Sequence, residues 1–441
     1  MIPQWLIEKK RGGNELSDAE IRAWIAAYAT GEVSDAQMAA MAMAIYFKGM
    51  TPAETASMTD AMMRSGETVD FSAWPKPTAD KHSTGGVGDK VSLILAPLAA
   101  AAGMAVPMMS GRGLGITGGT LDKLAAIPGF DTNVPIPRMK GLLASVGCVM
   151  MGQSDGWVPA DKKLYALRDV TATVPSLGLI TASIMSKKLA EGAQTLVFDV
   201  KCGRGAFMPG PDAARALAES LLAVGRRLGR RVAALVTDME QPLGRSAGNA
   251  VEVREALDVL RGHGPPDTRE LTLELTAWMA VLSGVDADLD AARQRLATLL
   301  DNGAALEVFR RMVAAQGGDP RVCDAPDDIL PRAKLAETLC AEQDGFVSFV
   351  DAEKIGRAVL QLGAGRVQPS DAVDPAVGIE NLVQSGDRVA KGQPLLTLLA
   401  NDPSRLVASR ALCHGAVVVA SAEALPRKLV LEAVSMESQT P

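Results

Sequence analysis

Two glycine clusters separated by one long apolar run constrain this chain more than any other feature. The first reads Lys81-His82-Ser83-Thr84-Gly85-Gly86-Val87-Gly88-Asp89. The second reads Ser110-Gly111-Arg112-Gly113-Leu114-Gly115-Ile116-Thr117-Gly118-Gly119-Thr120-Leu121-Asp122-Lys123. Glycine lets a backbone approach an anion and present consecutive N–H groups to it. Around these glycines stand the hydroxyls of Ser83, Ser92, Ser110 and Thr120 and the ammonium of Lys81. The second cluster runs into Leu121-Asp122-Lys123-Leu124-Ala125-Ala126-Ile127, which reads as a helical turn, and a helix start after such a loop favours an anion. A Walker A loop needs G-x-x-x-x-G-K-[ST], and Gly88-Asp89-Lys90-Val91 breaks that pattern. Gly113-Leu114-Gly115-Ile116-Thr117-Gly118 does fit G-x-G-x-x-G, but about twenty residues later stands Arg138 instead of the acid that would hold a ribose. The pattern therefore points to a phosphate rather than a dinucleotide; the plain alternative is two surface turns.

The run between the clusters, 91–109, is apolar enough to resemble a membrane span. Pro97, Gly103 and Pro107 divide it, so a buried helix followed by a short strand is the better reading. Upstream, three helices carry start signals. Ser17-x-x-Glu20 and Ser34-x-x-Gln37 are capping boxes, and Thr51-Pro52-x-Glu54 puts proline at a first helical position. Met38, Met41, Met43 and Ile45 make the second of these apolar on most sides, which fits either a bundle core or a subunit interface. Residues 66–79 hold Gly66, Pro75 and Pro77 and read as a hinge, 131–137 as a loop, and 146–151 as a strand. Helical patterns follow over 159–169 and 177–191. On the latter, Ile180, Ser183, Ile184 and Lys187 share one face. Two isoleucines, a hydroxyl and an ammonium suit a planar ligand with apolar faces and polar edges. After Gly192 the runs 196–200 and 232–236 read as buried parallel strands, and helices are expected over 211–229, 250–262, 269–283 and 287–316. From about residue 336 the chain turns β-rich, with a glycine turn at Ser385-Gly386-Asp387 and no recognisable chemistry.

A chain of 441 residues is long enough for two or three domains. A net charge of −6 without a dense basic block argues against nucleic acid as a partner, and 4% aromatics argues against base-stacking platforms. The five cysteines Cys148, Cys202, Cys323, Cys340 and Cys413 form no C-x-x-C, as expected of reduced thiols in the cytoplasm. With only His82, His263 and His414, a histidine-rich metal site is excluded. Glu8, Lys9, Lys10 and Arg11 stand where a signal peptide needs its apolar core.

The two glycine segments resemble the signatures of the thymidine and pyrimidine-nucleoside phosphorylase family. The second is similar to its long S-G-R-G-L-x-x-T-G-G-T-x-D-K pattern, and the resemblance continues through Asp199-Val200-Lys201 and Gly205-Ala206-Phe207-Met208 to about residue 400. It implies an α/β protein: a small helical domain from two chain segments, a large mixed α/β domain, and a small β-rich C-terminal subdomain. The expected division is 1–65 helical, 66–79 hinge, 80–151 α/β, 152–191 helical again, 192–335 α/β again, and 336–441 C-terminal. The implied reaction is reversible phosphorolysis of a pyrimidine 2′-deoxynucleoside such as thymidine to the base and 2-deoxyribose 1-phosphate, in a cytoplasmic homodimer paired through its N-terminal helices. It needs no cofactor; inorganic phosphate is a co-substrate. Residue by residue, the resemblance places Lys81, Ser83, Ser92, Ser110 and Thr120 on phosphate. It places Arg168, Ser183 and Lys187 on the base, with His82 to protonate or hydrogen-bond the leaving base. Leu114, Ile180, Ile184 and Phe207 would pack around the ring. The plain alternatives are a structural His82 and an Arg168 salt bridge to Asp161 or Asp169.

The chain departs from the family pattern at Ile116, usually histidine, Ala125, usually glutamate, Arg204, usually small, and Lys90, where uncharged residues are common. Some family members bind potassium through groups matching Gly88, position 90, Leu243, Ser246 and Glu255. No metal is expected here, because the Lys90 ammonium can stand in the ion's place; the alternative is a solvated Lys90. Met108, where broad-specificity members tend to carry lysine, favours the deoxy-specific type over a broad pyrimidine-nucleoside phosphorylase. Two further classes stay open: an anthranilate-type phosphoribosyltransferase, against which stands the absence of an Asp-Glu dipeptide for magnesium, and a silent nucleoside-binding protein.

Overall fold

The structure, a computed structural model, describes residues 1–434 apart from 114, 155, 369, 425 and 426. Four helices open the chain: α1 (Pro3–Arg11), α2 (Asp18–Thr30), α3 (Asp35–Lys48) and α4 (Pro52–Met63). Ser17 and Ser34 close the capping boxes that the sequence announces, and Thr51, read there for its following proline, closes one too. Helix α1 is the one the sequence reading missed. It starts on Pro3 without a side-chain cap, and its Lys10 is buried against Glu54 at 2.8 Å to both carboxylate oxygens.

The α/β part follows with β1 (Ala79–Ser83), α5 (Val91–Ala101), β2 (Val106–Met109), α6 (Thr120–Leu124), α7 (Ile136–Ser145) and β3 (Cys148–Met151). The apolar run is thus a helix and a strand, both buried in the main core. No described helix is long and apolar enough to cross a membrane. The expected loop 131–137 ends early, because Pro137 sits in the first turn of α7, where its missing N–H costs nothing. Helices α8 (Pro159–Val170) and α9 (Leu177–Ala190) return to the opening helices and share their hydrophobic core. Then come β4 (Thr195–Cys202), α10 (Pro211–Arg227) and β5 (Arg231–Asp238).

β1, β4 and β5 pair in parallel in that order, and β2 pairs in parallel with β3. Parallel strands put their carboxyl ends on one side, and in such sheets ligands bind beyond those ends. Here the carboxyl ends lead into Ser83, Ser110 and Gly152. The β-rich end forms two small antiparallel sheets, built on Gly345–Val350 and Pro394–Ala400. The strand Val430–Val434 then returns to the central sheet, antiparallel to β5.

Candidate active site

A cavity of about 740 Å³ lies beyond the carboxyl ends of β1, β2 and β3. Lys81, His82 and Ser83 reach it from β1, Ser92 from the first turn of α5, and Ser110 and Thr120 from the two ends of the second glycine cluster. All six of these predicted residues therefore share one cavity. The helical part contributes Asp161, Lys162, Tyr165 and Asp169 from α8, and Lys187 and Lys188 from α9.

The wall formed by the glycine clusters is built on buried charge. The Lys81 ammonium donates to Ser92 Oγ at 3.3 Å and lies 3.7 Å from Asp199 Oδ2. Asp199 in turn pairs with the buried Lys201 at 2.8 Å and accepts the Thr237 hydroxyl at 2.6 Å. Ser83 Oγ donates to Asp89 at 2.5 Å and accepts the Gly85 N–H at 3.1 Å. Burial opposes ionisation of Asp89, but Lys81, Lys201, Lys123 and the Ser83 hydroxyl together hold its carboxyl far below the ordinary range. His82 has its pKa held well below the usual imidazole value, first by burial and then by Lys188, Lys187 and Lys81, with Asp89 opposing. The imidazole is therefore neutral near pH 7 and keeps one N–H to donate.

On the helical side the predicted face of α9 divides. Lys187 donates to Asp161 and, at 2.9 Å, to Ser183 Oγ, and it lines the cavity. Ile184 is buried in a core with Phe198 and Val200, and Ile180 packs against the same core. Phe207 is 48% exposed. None of these three side chains is on the cavity wall, which corrects their expected place around a ring; Leu114 lies outside the described residues. Arg168 is also corrected. Its buried guanidinium donates to the carbonyls of Leu179 at 3.0 Å, Val174 at 2.6 Å and Thr173 at 3.4 Å, so it clasps the turn between α8 and α9 instead of lining the cavity. Asp161, one of its two expected salt-bridge partners, pairs with Lys187.

The family description "Glycosyl transferase family, helical bundle domain" matches residues 4–66, "Glycosyl transferase family, a/b domain" matches 75–306, and "Pyrimidine nucleoside phosphorylase C-terminal domain" matches 346–420. Pyrimidine-nucleoside phosphorylases of Geobacillus stearothermophilus and Bacillus subtilis (strain 168) are each 48% identical over 396 residues, covering 90% of this chain and 91% of theirs. The chain belongs to the pyrimidine-nucleoside phosphorylase family. An anthranilate phosphoribosyltransferase from Thermus thermophilus shares the fold, with a TM-score of 0.57 at 21% identity over 70% of this chain and 98% of that one.

Against the family pattern, the departures take these places. Ile116 lies 3.0 Å from where a Cβ on Gly356 would stand, Ala125 is exposed at the end of α6, and Arg204 reaches Glu240 at 3.3 Å and Asp351 at 3.6 Å. Met108 is fully buried in the main core; its neighbour Met109 lines the cavity. Lys90 is fully buried, with its ammonium 2.8 Å from the Leu243 carbonyl and 3.1 Å from both the Ser246 carbonyl and Glu255 Oε2. The oxygens a monovalent cation would need are taken by that ammonium, so these residues do not fit a resident ion. Gly88 holds φ at 76°, and a Cβ there would stand 2.5 Å from the Leu243 carbonyl.

The sequence reading did not find Asp161, Tyr165 and Asp169 as cavity residues, although their four-residue spacing on one helical stretch was a usable signal. Arg366 had no local signal at all. It comes from the C-terminal part, lines the cavity, and donates to Asp122 Oδ2 at 2.8 Å, while Asp122 also accepts the Gly113 N–H at 2.7 Å.

Proposed function

We propose that this chain catalyses the reversible phosphorolysis of pyrimidine nucleosides. The observation that carries the reading is the convergence of Lys81, Ser83, Ser92, Ser110 and Thr120 in one cavity with His82 and Lys187. A phosphate oxygen attacks C1′, the C1′–N1 bond breaks, and its electron pair leaves with the base; the proton that the hydrogen phosphate loses on becoming the sugar phosphate ends on the base. The lysine and hydroxyls hold phosphate beneath C1′; that fixed geometry is worth several powers of ten in rate. Lys187, oriented by Asp161 and Ser183, faces the negative charge developing on the base, and neutral His82 donates its N–H to a base oxygen. Arg168 shapes this half from behind, through the turn it clasps. The potassium-free arrangement at Lys90 belongs to the same reading.

Within it we propose a preference for 2′-deoxy sugars such as thymidine. Neither Met109 on the cavity wall nor Met108 behind it offers a hydrogen-bond partner to a 2′-hydroxyl. The names of the relatives fit a broad pyrimidine specificity equally well. Base release from thymidine, deoxyuridine and uridine, each with and without phosphate, is the test. Phosphate-dependent release supports the reading, and equal rates on uridine end the deoxy preference. Magnesium-dependent release of pyrophosphate, or binding without turnover, ends the phosphorylase reading itself. We further propose that two copies pair through α1 and α3, whose Trp5 and Phe47 are 66% and 73% exposed beside Met43 and Tyr46.

A further inference from the structure

We propose that Lys188, Asp80 and Glu191 form a positioning cluster that fixes the phosphate-binding strand ends against the base-binding helix. This rests on the phosphorolysis reading for its kinetic consequences. The three side chains are 2%, 0% and 0% exposed, and they join three elements. Lys188 of α9 donates to Asp80 of β1, to the Met109 carbonyl of β2 at 2.7 Å, and to Glu191 at 3.3 Å. Glu191 accepts the Met109 N–H at 3.1 Å, so the cluster grips residue 109 on both sides, through its N–H and its C=O. Each of the three chain segments carries a proposed binding residue next in sequence: Asp80 precedes Lys81, Met109 precedes Ser110, and Lys188 follows Lys187.

The charge balance is also specific. Two acids share one ammonium, and Asp80 Oδ1 and Glu191 Oε1 are both buried without a hydrogen-bond partner. One proton held between the acids satisfies both oxygens. Burial, then the neighbouring Asp80 carboxylate, push the Glu191 carboxyl well above its ordinary range, which puts that proton on Glu191. The cluster is then neutral: one ammonium, one carboxylate and one carboxylic acid. Lys188 thus has two separable duties, neutralising Asp80 and holding the Met109 carbonyl.

Lys188→Met, Asp80→Asn and the double variant separate those duties. Lys188→Met leaves Asp80 buried and unpaired, so it lowers the melting temperature; the double variant removes both charges and regains most of it. Kinetics do not follow. In the Lys188→Met single and the double variant alike, phosphate KM rises at least about tenfold and kcat falls about a hundredfold or more, because the Met109–Ser110 corner is no longer held in register. Recovery of the kinetics together with the melting temperature would reduce the cluster to a purely stabilising one and overturn the proposal. Amide hydrogen exchange gives a readout that needs no turnover. Residues 106–110 should exchange faster in Lys188→Met and in the double variant than in the wild type. Unchanged exchange overturns the cluster even if the wild type proves inactive, and an inactive wild type with accelerated exchange overturns only the phosphorolysis reading.

Discussion

Replacing Lys90 with threonine should convert a potassium-indifferent protein into a potassium-dependent one. The Lys90 ammonium holds two backbone carbonyls and a carboxylate at 2.8 to 3.1 Å, and its side chain has no exposure. Glu255 keeps the Arg245 N–H at 2.6 Å and the Ser246 hydroxyl, but both are neutral donors. Truncation leaves that carboxylate buried without a counter-charge, which typically costs about 3–5 kcal/mol. Two carbonyls also lose their donor, at about 1–3 kcal/mol for each left unsatisfied. Gly88 packs on the Leu243 carbonyl, so the loss reaches the loop behind Lys81, His82 and Ser83. A monovalent cation supplies the same charge to the same oxygens. At a concentration about a hundred times its dissociation constant it would return roughly 2.7 kcal/mol. The assay is phosphorolysis and thermal melting in sodium, potassium and tetramethylammonium buffers at matched ionic strength. The wild type should not distinguish the three. Lys90→Thr should melt lower in tetramethylammonium and recover both stability and rate in potassium. Strong activation of the wild type by potassium, or a Lys90→Thr variant that is stable and indifferent to the cation, would refute the reasoning.

Lys187→Ala should lower kcat/KM at least about a hundredfold, because the charge it offers matters most in the transition state, and it should also lower the melting temperature, because Asp161, 2% exposed, loses its counter-charge. Arg168→Ala should show in melts more than in steady-state assays. It loses charged hydrogen bonds to three carbonyls, each worth about 1.5–3 kcal/mol, so the dominant effect is on stability. His82 is held neutral in the folded chain, so below the unfolded-state pKa of about 6.5 only the unfolded chain gains its proton, and stability falls as pH falls. His82→Gln should flatten the melting temperature against pH in that acid range; an unchanged slope would count against the neutral imidazole. Phe47→Arg should shift the sedimentation of the protein from dimer to monomer; an unchanged mass would move the interface elsewhere.

What the sequence made legible is what local physics decides. Capping boxes fixed the starts of α2, α3 and α4, and β-branched runs located β4 and β5. The glycine clusters with their hydroxyls located one wall of the cavity, because those groups lie next to each other along the backbone. Helix α1 escaped because it has no capping side chain, and α7 because the prolines at its start were read as a loop where Pro137 is a first-turn residue. The helical half of the cavity was only partly legible for a geometric reason. A shared helical face covers a wide arc, and the face of α9 straddles the border between cavity and core. Lys187 turns to Asp161 and the cavity with Ser183 accepting its ammonium from behind the wall, whereas Ile180 and Ile184 turn to the core around Phe198.

The rest depends on partners that no window on the chain contains. Lys187 finds Asp161 at a separation of 26 residues, Lys188 finds Asp80 at 108, Lys90 finds Glu255 at 165, and Arg366 finds Asp122 at 244. In each pair at least one charge is buried, Asp161 in the first and both partners in the other three, and burial is what makes the need for a partner strict. A sequence shows the charges but not which of them folding removes from water. The pairs are nonetheless ordered by function. Those nearest the cavity leave a cation facing it, as with Lys81 and Lys187, while those one layer behind are closed, as with Lys90 and Lys123, whose ammonium meets Glu252 at 2.8 Å. The closed layer packs against the glycine clusters, and the open layer leaves positive charge facing the cavity, which is what the proposed phosphorolysis asks of it.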